Sequence, residues 1–386
     1  MRYAIKPEKV MTSSGELLNK YVVINQGKIE RIQVEKPTDC DVHYYPDSYL
    51  SAGFIDVHIH GRAGADVMDE NDTALATIAQ ALPQTGVTAW VGTTVSAPWA
   101  NILSSMQRMK DYIRQGRQSG AELLGSFMEG PYFTERHRGS HPTEYLMPPT
   151  IPQLEELLQI SDRTLLRVAI APEIENAEPA IKWLVENGVK VSVAHTNATF
   201  EQVTKAYYLG ADCGVHLFNG MSALHHREPG CTGAVLYYDM LAEIIADGIH
   251  VHPAVLNLAY KLKTYRRMVL ITDCMRAGGL PDGEYTLGVQ TVRVENGQAR
   301  TFDGSLAGST CSLDQALRNM VFKADVPVWE AIQMVTTIPA TYLGVADRIG
   351  DIAVGKEANF TLLNKELQVQ ATYIQGEQVY KCGEKF

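Results

Sequence analysis

Four of the eleven histidines in this chain recur, with three carboxylates, at one place in the hydrophobic pattern. His58 and His60, Glu129, His195, His216, Asp247 and Asp273 each stand at the polar end of a short apolar run. Imidazole nitrogens joined to a carboxylate make a good site for zinc or another first-row divalent ion, with a position left open for water. Residues two apart on a strand share a side, so His58 and His60 can present both rings to one ion. Singly these signals are weak, because a lone His in an apolar strand is more often a hydrogen-bonded core residue and H-x-H arises by chance. Their recurrence at the same end of successive runs is what a purely structural set does not explain. The expectation is one or two divalent ions, zinc first, with Fe2+, Mn2+, Co2+ or Ni2+ suited to the same donors.

The elements that must position these residues are given by the same runs. GFIDVHIH ending at His60, TAWVGTT at Thr94, LLGSFMEG at Gly130, LLRVAIAPE at Glu173, VKVSVAH at His195, CGVHLFN at Asn219, AEIIADG at Gly248 and MVLITD at Asp273 alternate with longer amphipathic segments. That is the pattern of repeated βα units. Eight of them predict an α/β fold with a closed TIM-type (β/α)8 barrel, whose sites gather at the C-terminal ends of the strands. Thr199 with Gln202 and Ser312 with Gln315 fit capping boxes, and Ile181, Trp183, Leu184 and Val185 before Asn187-Gly188 read as a core-facing helix with a left-handed stop. Alternation around Glu295-Asn296-Gly297 predicts a hairpin inserted after the last barrel strand.

The chain ends read differently. Tyr21–Ile24 and Ile29–Val34 around Asn25-Gln26-Gly27-Lys28, and Ala358–Leu363 with Val369–Ile374 before Gln375-Gly376-Glu377, read as hairpins. Neither end could bury a sheet face alone. Residues 1–50 and 345–386 are therefore expected to pair into one small β domain beside a barrel of residues 51–344.

Other groups could serve the mouth of the barrel. His141 follows Gly139 in the loop after the third strand, where a polariser of a substrate carbonyl would stand. His250 lies just past Asp247-Gly248, whereas His252 beside Pro253 reads as a helix start and His43 and His137 as solvated surface groups. The net charge of -10 disfavours nucleic acid and anionic lipid, so an anionic substrate needs a local cationic cluster. His225-His226-Arg227, in the loop after the sixth strand, is the candidate basic patch.

GFIDVHIHG from Gly53, MEGPY from Met128, AHTNAT from Ala194, HLFNGM from His216, REPG from Arg227, ADGIH from Ala246, ITD from Ile271 and LAGST from Leu306 together resemble the N-acetylhexosamine-6-phosphate deacetylases of the amidohydrolase superfamily. The match runs nearly end to end, and EGP and REPG are more specific than H-x-H. The resemblance implies a metal-dependent barrel plus a β-sandwich, acting on the acetamide of N-acetylglucosamine 6-phosphate. It implies Glu129, His195 and His216 as ligands of the principal ion and Asp273 as acid/base. No Lys ends the third or fourth strand, which leaves Glu129 the bridging role, and the complete His58/His60 pair allows a second ion. Arg227 and His250, with N–H groups near Asn219-Gly220 and Ala307-Gly308, are the expected phosphate cradle. A homodimer is also implied, in which the Arg227 loop reaches the neighbouring site. GPYFT, LHHREPG and MRAGGLPDGEYTL resemble the galacto-specific enzymes at least as closely, so N-acetylgalactosamine 6-phosphate is the alternative substrate. Another amidohydrolase reaction or a non-catalytic barrel are the remaining alternatives.

MRYAIKPEKV contains no apolar core of signal-peptide length and no stretch approaches a membrane span, so a cytoplasmic location without membrane contact is expected. Six scattered cysteines without C-x-x-C are expected to be free thiols.

Overall fold

A computed structural model describes residues 2–116 and 119–384. All eight expected barrel strands form: Phe54–Ile59, Val87–Thr93, Glu122–Met128, Leu165–Ile170, Lys190–Val193, Ala211–Gly214, Leu241–Ile245 and Met268–Ile271. They pair in parallel in chain order. Past the end of the eighth strand the chain meets the first again, where Asp273 N–H donates to His58 O at 2.9 Å and His60 N–H to Cys274 O at 2.9 Å. A parallel sheet buried on both faces needs near-continuous apolar strands, and these runs supply them. Val57, Cys213, Leu241, Val269 and Ile271 fill the lower barrel interior, and Val91, Phe127, Ala169 and Val215 the upper.

The first strand departs from regular alternation at its polar end. Ile55 and Val57 pack into the barrel interior, yet Ile59 packs outward with the helices. The pairing register with the second strand slips between Asp56 and Ile59. An extra residue in a strand reverses the side-chain phase, and so His58 and His60 face the axis in place of Ile59.

The helix Ala177–Glu186 buries Ile181 and Leu184, leaves Val185 exposed, and ends at Asn187 before Gly188 with φ +78°. Thr199 and Gln202 form the reciprocal capping box that satisfies two otherwise unpaired N–H groups. The second expected box is not made: Ser312 is the N-cap residue of Leu313–Ala324 but its side chain makes no capping bond. The insertion after the eighth strand is a three-stranded antiparallel sheet, Gly283–Leu287, Gln290–Glu295 and Gln298–Thr301, one strand larger than the expected hairpin.

Both chain ends join one eight-stranded sheet, in which Phe360–Leu363 pairs with Asp41–Ala52. The sheet folds over on itself, so that Ala358 N–H donates to Gly27 O at 2.8 Å and Tyr3 Oη to Gly376 O at 2.7 Å. Its core of Ile5, Val22, Ile24, Leu50, Phe360 and Leu362 is separate from that of the barrel. No helix among the described residues is long and apolar enough to cross a membrane. All six cysteines are free.

Candidate metal centre and active site

His58, His60, Glu129, His195, His216 and Asp273 converge at the C-terminal mouth, every one buried. Glu129 lies between two groups of donors. Its Oε2 is 3.2 Å from His58 Nε2 and 3.1 Å from His60 Nε2, and its Oε1 is 3.0 Å from His216 Nε2 and 3.4 Å from His195 Nε2. Asp273 Oδ1 closes the first group, 3.0 Å from His60 Nε2 and 3.5 Å from His58 Nε2. Three of these side chains sit on strained backbone at the strand ends, with φ of +44° at His195, +33° at His216 and +49° at Asp273. Non-glycine residues hold that conformation only where the surroundings impose it, often at functional sites.

The far nitrogen of each ring is tied down. Nδ1–H of His60 donates to Thr93 O (2.9 Å), that of His195 to His137 O (2.8 Å) and that of His216 to Asn219 O (3.0 Å). His58 Nδ1 is 3.0 Å from Glu243 Oε2. Each bond places the Nε2 lone pair toward the centre, which is the arrangement metal-binding histidines require. Burial by itself would lower the pKa of His58, but Glu129 and Asp273 raise it well above the ordinary imidazole value. The same imidazoles hold Glu129 well below the carboxylate range against the opposing effect of burial. Converging lone pairs and two carboxylates, packed within 3.0–3.5 Å and shielded from water, need a cation among them. The donor set therefore fits a divalent metal.

His141 differs from the other rings. Ser96 N–H donates to its Nδ1 at 3.1 Å, so the ring proton sits on Nε2. Burial and then the neighbouring His195 hold its pKa well below the ordinary value. A buried neutral imidazole of this tautomer is a hydrogen-bond donor and not a ligand, although its nitrogen lies close to Glu129 and His195.

A cavity of about 270 Å3 opens over the centre. Asn219, Gly220, His250 and Gly308 line it, together with Leu306 and with Leu287 and Ser305, two residues that sequence reasoning did not single out. His250 Nδ1 is 2.6 Å from Asp247 Oδ2, which leaves Nε2 for a ligand. The main-chain N–H groups of Asn219 and Ala307 are already bonded, to His216 O and Ala299 O. This corrects the expected cradle: Ala307 offers no donor and does not line the cavity. Arg227 is exposed, its Nη1 2.7 Å from His226 Nε2, and it too stands outside the cavity of its own chain.

Three supporting residues were missed. Glu243 and Arg167 lie beneath His58, and Asp56 accepts from Thr272 Oγ1 at 2.6 Å beside Asp273. Each is the lone Asp, Glu, Lys or Arg within its strand, a signal the sequence did carry. His137, read as surface, contributes its main-chain carbonyl.

Residues 49–379 match the Amidohydrolase family. The chain is 41% identical over 379 residues to the N-acetylgalactosamine-6-phosphate deacetylase of Escherichia coli O157:H7, covering 98% of this chain and 99% of that one. It is 41% identical to the N-acetylglucosamine-6-phosphate deacetylase of Vibrio furnissii, covering 86% and 83%. Among solved structures it is similar to a mutant N-acetyl-D-glucosamine-6-phosphate deacetylase of Mycobacterium smegmatis in complex with N-acetyl-D-glucosamine-6-phosphate, with a TM-score of 0.93, 29% identity and coverage of 98% and 100%. With its barrel, its converging donors and these near full-length relatives, the chain belongs to the amidohydrolase family, among the N-acetylhexosamine-6-phosphate deacetylases.

Proposed function

We propose that this protein hydrolyses the acetamide of N-acetylglucosamine 6-phosphate to glucosamine 6-phosphate and acetate, in amino-sugar catabolism. The observation that carries the reading is the convergence, on one cavity, of a metal-type donor set, a neutral Nε2–H donor at His141 and an anion-suited His250.

Glu129, His195 and His216 would hold the principal ion, and His58, His60, Glu129 and Asp273 a second. The ion we assign is Zn2+, for which imidazole and carboxylate are ordinary ligands. A bound divalent cation there acidifies water and polarises the amide carbonyl. Asp273, kept anionic by His58 and His60 despite its burial, takes the proton of the attacking water and returns it to the leaving amine. His141 Nε2–H donates to the carbonyl oxygen as negative charge develops there. His250, Gly220 and Gly308 hold the phosphate from the far wall, so remote binding orients the amide.

Arg227 completes the phosphate site in this reading from a neighbouring copy of the chain, as part of a homodimer. The enzyme is cytoplasmic, with residues 51–344 forming the catalytic barrel and 1–50 with 345–386 the β domain. The 41% match to an N-acetylgalactosamine-6-phosphate deacetylase over 99% of its length favours the galacto epimer as the second reading. One hydroxyl separates the two sugars, and one hydrogen bond decides between them. Acetate release from both sugar phosphates, before and after chelation and metal return, is the test. Release from neither in the metal-loaded protein would overturn the proposal.

A further inference from the structure

Beneath the donor cluster the barrel axis holds a charged pair that no step of the proposed hydrolysis uses. Arg167 on the fourth strand and Glu243 on the seventh are completely buried, with Nη1 2.5 Å from Oε1. Beside this ion pair the guanidinium donates to Val57 O at 3.2 Å and Ser192 Oγ at 3.0 Å, and lies 4.1 Å from the centroid of the Phe127 ring. Groups from the first, third and fifth strands thus fix the position of Arg167, and Arg167 in turn faces Glu243. Its second oxygen, Oε2, is 3.0 Å from His58 Nδ1.

We propose that Glu243, oriented by Arg167, is the positioning residue that makes His58 a metal ligand and so decides whether a second divalent ion binds beside the one held by Glu129, His195 and His216. The inference rests on the assignment of the donor cluster as a metal centre. His60, His195 and His216 are oriented by main-chain carbonyls, of Thr93, His137 and Asn219. Of the four rings, His58 alone takes its orientation from a side chain. Arg167 only donates, and an ionised carboxylate only accepts. Glu243 therefore turns one oxygen to the guanidinium and the other to His58, which forces the proton onto Nδ1 and the Nε2 lone pair toward Glu129 and Asp273. An amide at this position would turn its oxygen to Arg167 and its NH2 to His58 Nδ1. That reverses the tautomer and puts Nε2–H where the ion must sit.

The test is Zn2+ stoichiometry and affinity by chelator competition on the wild type, Glu243→Gln, His58→Asn, and the double variant Arg167→Met with Glu243→Leu. The double variant replaces the pair with apolar groups, an exchange that buried ion pairs often tolerate, and guards against a folding failure of the single one. The wild type is expected to hold two equivalents. Both Glu243 variants should hold one at wild-type affinity and bind the second roughly 10–100-fold more weakly, with His58→Asn, which removes the ligand itself, weakening it at least as much. Two ions at wild-type affinity in the double variant would overturn the proposal. Equal weakening of both ions would also overturn it, since that is the mark of a core role alone. A wild type that binds one ion defeats it too, because His58 is then no ligand. A wild type that binds none defeats instead the metal-centre assignment itself.

Discussion

Ser96 N–H points at His141 Nδ1 from 3.1 Å, and that bond leaves the imidazole only Nε2 on which to carry its proton. The ring therefore offers the cavity a donor fixed before substrate arrives. Removing one such donor to a developing oxyanion typically costs about 10²–10³ in kcat. His141→Leu, which has no donor, should show a loss of that order with little change in KM and unaltered metal content, measured by steady-state kinetics and elemental analysis. A loss confined to KM would mean that His141 only binds substrate.

The same residue predicts a pH dependence of stability. The pKa of folded His141 lies well below 6.5, through burial and then His195, whereas in the unfolded chain it takes a proton near 6.5. The unfolded state thus binds more protons, and the contribution is present above pH 6.5 and lost as pH falls below it. Metal-free wild type and His141→Gln should differ most in urea-unfolding free energy at pH 7 and converge toward pH 5. A gap that widens in acid would show that the folded ring is protonated.

Asp273 bonds the barrel closed through its main chain and faces His60 through its side chain. Asp273→Asn keeps that shape but cannot carry a proton. Turnover should fall by about 10²–10⁴-fold, while the ion assigned to Glu129, His195 and His216 stays bound. Wild-type turnover in this variant would require another base.

His250 is held by Asp247 at 2.6 Å and faces the cavity, whereas Arg227 stands outside it. His250→Asn should lower kcat/KM for the sugar phosphate by about 1.5–3 kcal/mol, the worth of a hydrogen bond to a charged group, and hardly change that for the unphosphorylated sugar. If Arg227 serves the neighbouring site, inactive Asp273→Asn protein mixed with weakened Arg227→Ala protein should restore activity. No recovery after subunit exchange would place Arg227 outside the reaction.

Gly220 has φ +59°, and a Cβ there would meet His195 Nδ1 at 2.8 Å and His137 O at 3.3 Å. Those two atoms form the bond that orients His195. Gly220→Ala should weaken the tighter metal equivalent and lower activity together, read by chelator competition. Intact affinity would mean that the loop relaxes without moving the ring.

The sequence by itself determined the architecture, because strand count and polarity are local properties. Eight apolar runs, each too buried to alternate and each with a polar residue at or next to its end, led to the eight strands observed, and Thr199 with Gln202 marked a helix start correctly. Ser312 and Gln315 carried the same pattern without the bond, since a capping motif states only what a side chain could reach. The phase of His58 and His60 was beyond local reading: alternation from Ile55 and Val57 points them away from the axis, and the slip against the second strand turns them in. The tautomers of His58 and His141 likewise depend on Glu243 and Ser96, 185 and 45 residues distant in the chain. Residue type sets which chemistry a position could perform. Which nitrogen faces the site, and which N–H is already bonded, as at Ala307, is settled by hydrogen bonds between segments that only the folded barrel brings together.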